Sequence, residues 1–233
     1  MRTLTVIIPA YNEEKCIEKT LSDLFKSAKS DDIDLSLVVV DDGSQDATYD
    51  IVKKLAQDNS KISLVGHNTN RGFGKTVMTG IKHSSDENLL LVPADGQFDP
   101  GEMDIFLDAL DEYDLAIGTR SSRSGYTLFR QFVSYLYINL VNIFFCQNYR
   151  DTNWVQAWKR KIFDKISPES TGVFFLQETI TRANRMGYLI GQVNSIHLPR
   201  ETGEAKGGNL DFIIFTFYEM MKFWWKLYIE HSI

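Results

Sequence analysis

The chain has 233 residues, 43% of them apolar and 24% charged, with a formal net charge of −6. That suffices for one large domain or two small ones with a packed core, and the acidic balance excludes a general nucleic-acid binder, so any basic site has to be local. Two cysteines, Cys16 and Cys146, make no disulfide framework; with no charged-then-apolar leader after Met1, a reducing cytoplasmic setting is expected.

Through the first half, short β-branched or leucine-rich runs at 4–8, 35–40, 62–65, 89–92 and 115–117 alternate with segments of helical length at 13–29, 47–57, 74–83 and 101–110. This alternation predicts an α/β fold with a Rossmann-like, mostly parallel sheet covered by helices on both faces. Ligands of such sheets sit at the carboxyl ends of the strands. Those ends read Pro9-Ala10-Tyr11-Asn12-Glu13-Glu14, Asp41-Asp42-Gly43-Ser44, Ala94-Asp95-Gly96-Gln97 and Gly118-Thr119-Arg120. Several of these residues also suit helix capping: Asn12, Ser44 or Asp46, and Asp99 before Pro100. The first strand lacks the glycines of a dinucleotide fingerprint. Arg71-Gly72-Phe73-Gly74-Lys75-Thr76 resembles the end of a P-loop but has Thr69 where the first glycine belongs, which excludes a Walker-type NTPase.

Further on, 132–146 is interrupted by Ser134, Asn139 and Asn142, and 210–229 by Asp211, Glu219, Lys222 and Lys226, so neither is expected to cross a bilayer alone. The second crowds Phe212, Phe215, Phe217, Tyr218, Phe223, Trp224, Trp225 and Tyr228 among lysines. That composition suits either a helix buried on its own core or one lying at a headgroup interface. Before it, the loop 196–208 combines Arg200 and Lys206 with Gly203, Gly207 and Gly208. A guanidinium fork, a point charge and closely approaching backbone suit a diphosphate, the alternative being a solvated surface loop.

In order and spacing, Val6-Ile7-Ile8-Pro9-Ala10-Tyr11-Asn12-Glu13, Val39-Val40-Asp41-Asp42-Gly43-Ser44, Asn70-Arg71-Gly72, Ala94-Asp95-Gly96-Gln97, Gly118-Thr119-Arg120 and Arg200 through Gly203 to Lys206 resemble the family 2 glycosyltransferases of the GT-A fold. The likeness is greatest to their dolichyl- or polyprenyl-phosphate mannosyltransferase branch. The resemblance implies that Pro9, Tyr11, Glu13, Val40 and Asp42 hold the base and ribose of a nucleotide-sugar. It places Ala94 and Asp95 against the donor, and Asp95 with Gln97 on a Mg2+ or Mn2+ ion bridging the diphosphate. Arg120, Arg200 and Lys206 would neutralise the phosphates, the 196–208 loop closing as a lid. Asp95 and these three cations then form the catalytic set, stabilising the charge that grows on the leaving nucleoside diphosphate. Arg130 and Ser134 would grip the acceptor phosphate.

Two departures stand out. Pro93-Ala94-Asp95 replaces the family's Asp-x-Asp, and Trp154 and Val155 stand in Asp151-Thr152-Asn153-Trp154-Val155-Gln156-Ala157 where relatives carry a small residue and glycine. A phosphate acceptor is already anionic and needs no strong base, whereas a hydroxyl would need one, with Asp151, Glu178 and His197 as candidates.

The expected organisation is a glycosyltransferase domain over 1–208, divided into a donor half (1–120) and an acceptor half with the lid (121–208), followed by an aromatic amphipathic helix over 209–233. The expected function is transfer of a hexose, with inversion, from a GDP- or UDP-sugar to a polyprenyl phosphate at the cytosolic membrane face, in contact with the membrane or a membrane subunit. The alternatives are a soluble family 2 transferase with a hydroxyl acceptor and, from Pro93, a catalytically impaired sugar-nucleotide-binding regulatory subunit.

Overall fold

The computed structural model describes residues 2–30, 32–121, 127–199 and 210–230. Seven strands form one sheet in the order β3-β2-β1-β4-β6-β5-β7. They are β1 (Arg2–Ala10), β2 (Ile33–Asp41), β3 (Ile62–Gly66), β4 (Asn88–Leu91), β5 (Leu115–Arg120), β6 (Gln156–Lys159) and β7 (Ile190–Ser195). Every neighbouring pair is parallel except those of β6, which is antiparallel to both β4 and β5. The helices are α1 (Ile17–Ser30), α2 (Thr48–Asp58), α3 (Phe73–His83), α4 (Met103–Glu112), α5 (Leu128–Phe145), α6 (Phe174–Arg185) and α7 (Leu210–Tyr228). All five predicted strands and four predicted helices are present; β6 was not foreseen.

Because side chains alternate across a strand, β1 feeds two cores. Val6 and Ile8 join Ile17, Leu21 and Leu24 of α1 and Phe106 and Leu107 of α4 on one face. Ile7 joins Val77 and Ile81 of α3 and Phe175 and Ile180 of α6 on the other. A third cluster ties Val141 and Phe145 of α5 to Phe174 of α6 and to Met220, Phe223 and Leu227 of α7. The aromatic tail is thus partly a core helix. Its other side exposes Ile214, Phe217, Tyr218 and Trp225, and α5 likewise exposes Leu128, Phe129, Phe132 and Tyr135. At 18 residues and a mean hydropathy of 1.2, α5 also reaches the length and composition of a membrane-crossing helix.

Candidate active site

The ends of β1 and β2 are stitched together by side chains on backbone. Asn12, in the left-handed region at φ 57°, donates its N–H to Ser44 Oγ (3.0 Å) and accepts from Gln45 N–H (2.8 Å), while Glu13 N–H donates to Thr48 Oγ1 (2.8 Å). Capping residues therefore shape one rim of the site, beside Pro9, Tyr11 and Glu13.

The two aspartates that end β2 have different work. Asp42 is buried with both oxygens occupied: Oδ1 accepts from Arg71 N–H (2.9 Å) and meets His67 Nδ1 (2.7 Å), and Oδ2 accepts from Gly72 N–H (2.9 Å). The carboxylate expected at the base or ribose thus also holds Arg71 and Gly72 of the loop 70–74. Asp41, not singled out from sequence, is also buried; its Oδ2 takes Ser44 N–H (3.1 Å), but Oδ1 meets no donor among the described residues. A buried carboxylate oxygen without a donor is costly unless a ligand supplies one. Val40 is buried inside the sheet and offers only backbone and a methyl wall.

At the end of β4, Gly96 at φ 72° turns the chain, Asp95 Oδ1 accepts from Gln97 N–H (3.2 Å), and the Ala94 carbonyl accepts from Thr20 Oγ1 (3.1 Å). Gln97 is bound on both sides to the segment that enters the expected lid: its Nε2 donates to the Leu198 carbonyl (3.3 Å), and its own carbonyl accepts from Leu198 N–H (2.9 Å). No group of three His, Cys, Asp or Glu gathers among the described residues. What remains for a cation is one hard carboxylate and one amide oxygen, a set that fits Mg2+ or Mn2+ completed by phosphate oxygens and water. Arg200 and Lys206, with the loop from 200 to 208, lie outside the described residues.

At the end of β5, Arg120 forms a bidentate pair with Asp151, Nε to Oδ2 at 2.7 Å and Nη2 to Oδ1 at 2.9 Å, both side chains almost fully buried. Its guanidinium also lies 5.5 Å from the Trp154 ring. Trp154 is held in turn: its Nε1–H donates to Ser195 Oγ (3.0 Å), whose hydroxyl donates to Glu102 Oε2 (2.6 Å), and His197 packs on the ring at 4.8 Å. Burial raises the Glu102 pKa. Burial, followed by the fields of Arg120 and Arg130 against those of Asp95 and Asp151, lowers that of His197 and so favours its neutral ring.

None of the three base candidates is free to act as one. Asp151 is committed to Arg120 and His197 is buried against Trp154. Glu178 accepts from the N–H groups of Glu169 (3.0 Å) and Ser170 (2.9 Å) and from Arg182 Nε (2.7 Å).

Two hollows open along this edge. One of about 300 Å³ is bounded by Thr20, Pro93, Asp95, Gly96, Phe98 and Leu198. The other, about 580 Å³, is a groove between α5 and α7: Arg120, Arg130, Ser134 and Asn153 contribute polar groups, while Leu136, Leu140, Phe212, Ile213, Phe217 and Met220 supply apolar walls. The predicted acceptor residues Arg130 and Ser134 are thus brought together with Arg120.

Undecaprenyl-phosphate mannosyltransferase of Micrococcus luteus is 29% identical over 217 residues, covering 88% of this chain and 87% of that protein. Undecaprenyl-phosphate 4-deoxy-4-formamido-L-arabinose transferase of Proteus mirabilis is 27% identical over 217 residues, 90% of this chain and 64% of its own length. An uncharacterized protein of Methanocaldococcus jannaschii is 37% identical over 120 residues, 49% of this chain and 45% of its own. The chain thus spans less than two thirds of the length of these last two relatives. Among solved structures, glucosyl-3-phosphoglycerate synthase from Mycobacterium tuberculosis, in complex with Mn2+, UDP and phosphoglyceric acid, shares the fold at a TM-score of 0.73 and 18% identity, over 95% of this chain and 78% of that one. The architecture is that of the GT-A fold. A family model described as Glycosyl transferase family 2 matches residues 5–166, and the chain belongs to that family of glycosyltransferases.

Proposed function

We propose that this glycosyltransferase moves a hexose from a GDP- or UDP-sugar to a polyprenyl phosphate at a membrane surface. One observation carries the acceptor: the groove between α5 and α7 sets Arg120, Arg130 and Ser134 beside apolar walls. A cationic, hydroxyl-bearing end followed by a hydrocarbon trough matches an isoprenoid monophosphate better than a sugar or a small acid. The aromatic and aliphatic side chains that α5 and α7 expose would let the groove draw a lipid directly from the headgroup region. The curated relatives that act on undecaprenyl phosphate support the same acceptor class.

The donor lies across the ends of β1, β2 and β4. Asp41 Oδ1 takes a ring N–H of the base, Tyr11 and Glu13 form the rim, and the loop 70–74 held by Asp42 forms the floor. Asp95 and Gln97 would hold a divalent ion, which would supply charge neutralisation on the leaving diphosphate. Arg120 is fixed by Asp151 and Trp154, so its orientation is set before substrate arrives and adds no reorganisation during transfer. The acceptor is already an anion; Arg130 and Ser134 orient its oxygen, and no residue has to remove a proton.

The test is to incubate the purified chain with Mn2+, undecaprenyl phosphate in vesicles and radiolabelled GDP-mannose or UDP-glucose. Label in an organic-extractable, mild-acid-labile product is expected. Label transferred only to a water-soluble acceptor such as phosphoglycerate overturns the lipid acceptor.

A further inference from the structure

Residues 169–172 hold two buried carboxylates from two helices. Glu178 of α6 takes the N–H groups of Glu169 and Ser170, and Glu219 of α7 takes those of Thr171 (2.6 Å) and Gly172 (3.1 Å). Four successive backbone donors are thus consumed, and the turn has no freedom to shift without breaking charge-assisted bonds. Its opposite edge presses on the donor loop: the Thr171 carbonyl accepts from Gly74 N–H at 2.7 Å. A Cβ on Gly72 would come 2.7 Å from the Thr171 carbonyl oxygen, and one on Gly74 would come 2.0 Å from that of Ser170. Gly72 and Arg71 are in turn bound to Asp42. A continuous series of hydrogen bonds therefore runs from the acceptor-side helix α7, through the turn, to the loop that floors the donor site.

We infer that Glu219 is a positioning residue that couples the seating of α7 to the donor loop 70–74. Glu219 sits on the α7 turn next to Phe215 and Phe223, so any shift of α7 as the groove fills moves the carboxylate, the turn and the Gly74 contact together. A coupling of this kind is reciprocal: whatever α7 does to nucleotide affinity, bound nucleotide does to the α7 contact. The nucleotide half of the inference rests on the donor site proposed above; the mechanical half does not.

The test is amide hydrogen exchange on the whole chain, with and without UDP or GDP plus Mn2+, comparing wild type with Glu219→Gln and, should that variant fail to fold, Glu219→Asp. Exchange at Arg71, Gly72 and Gly74 is expected to rise by about fivefold or more, the lower end of typical site couplings. Bound nucleotide is expected to slow exchange at Thr171 and Gly172 in the wild type and to do so less in the variant. If exchange rises only at Thr171 and Gly172 while 70–74 keeps its wild-type rate, the coupling is wrong and Glu219 merely caps its turn. If both variants unfold, wild-type protection of Thr171 and Gly172 by nucleotide decides. Should wild type bind neither nucleotide, the donor site fails on its own, and the exchange rates of 70–74 in the variant still decide the mechanical half.

Discussion

Asp41 and Asp42 are adjacent, alike in sequence and both buried, yet Asp42 has both oxygens occupied while Asp41 keeps one oxygen without a donor among the described residues. Replacing Asp42 by asparagine puts an amide where two N–H groups and His67 converge, and should cost about 2–3 kcal/mol of stability, read by urea denaturation. Asp41→Asn keeps an acceptor for Ser44 N–H and should change stability by less than about 1 kcal/mol while weakening nucleotide binding about tenfold or more, read by titration calorimetry. Equal losses of stability in both variants would remove the distinction. His197 makes a pH prediction. Its folded-state pKa lies below the usual 6.5, so folding favours the neutral ring, and the stability this contributes above 6.5 is lost as pH falls. His197→Gln should flatten the decline of stability between pH 7 and 5, a slope of at most about 1.4 kcal/mol per pH unit. The sequence shows that two carboxylates end the strand, but not which one the protein itself consumes, because that depends on Arg71 and Gly72, about thirty residues away.

At the level of elements, β1 to β5 and their helices were legible because β-branched runs and capping residues are local signals. Strand β6 was not: four residues with tryptophan and alanine facing opposite sides carry little periodicity, and its antiparallel sense is set by long-range pairing with β4 and β5. In sequence Glu178 is a base candidate and Glu219 an interruption of an apolar stretch, and only tertiary structure reveals the backbone donors they hold. The contact between α3 and the turn 169–172 gives a sharp test. Gly74→Ala directs a methyl at the Ser170 carbonyl, a backbone atom that α6 and α7 fix in place. The variant should lose about 1–3 kcal/mol, more than helix propensity alone would return, as measured by thermal unfolding.

For the whole molecule, α5 and α7 expose a set of large apolar side chains, among them Leu128, Phe129, Phe132, Ile214, Phe217 and Trp225, of the kind that marks an interaction surface. Replacing exposed Phe132, Phe217 and Trp225 together by serine should leave nucleotide binding intact and reduce co-sedimentation with anionic vesicles by about tenfold or more. Unchanged sedimentation would detach the flank from membranes. The aromatic richness of 210–229 could not by itself separate a core helix from an interfacial one, and the structure shows why. The same helix buries Met220 and Phe223 on one side and exposes Phe217 and Trp225 on the other.

The reversed direction of β6 has one more consequence. A parallel strand meets the ligand edge where it ends, but a strand running the other way meets that edge where it begins. Inserted between β4 and β5, β6 obliges the residues just before it, 151–155, to enter the cleft between Asp95 and Arg120. Their own contacts hold them there: Asp151 pairs with Arg120, Trp154 donates to Ser195 Oγ, and Trp154 and Val155 are buried in the core shared with α4. The short segment entering between the ends of β4 and β5 thus closes the core on one side and sets Arg120 on the other, so a change of residue there is felt in both.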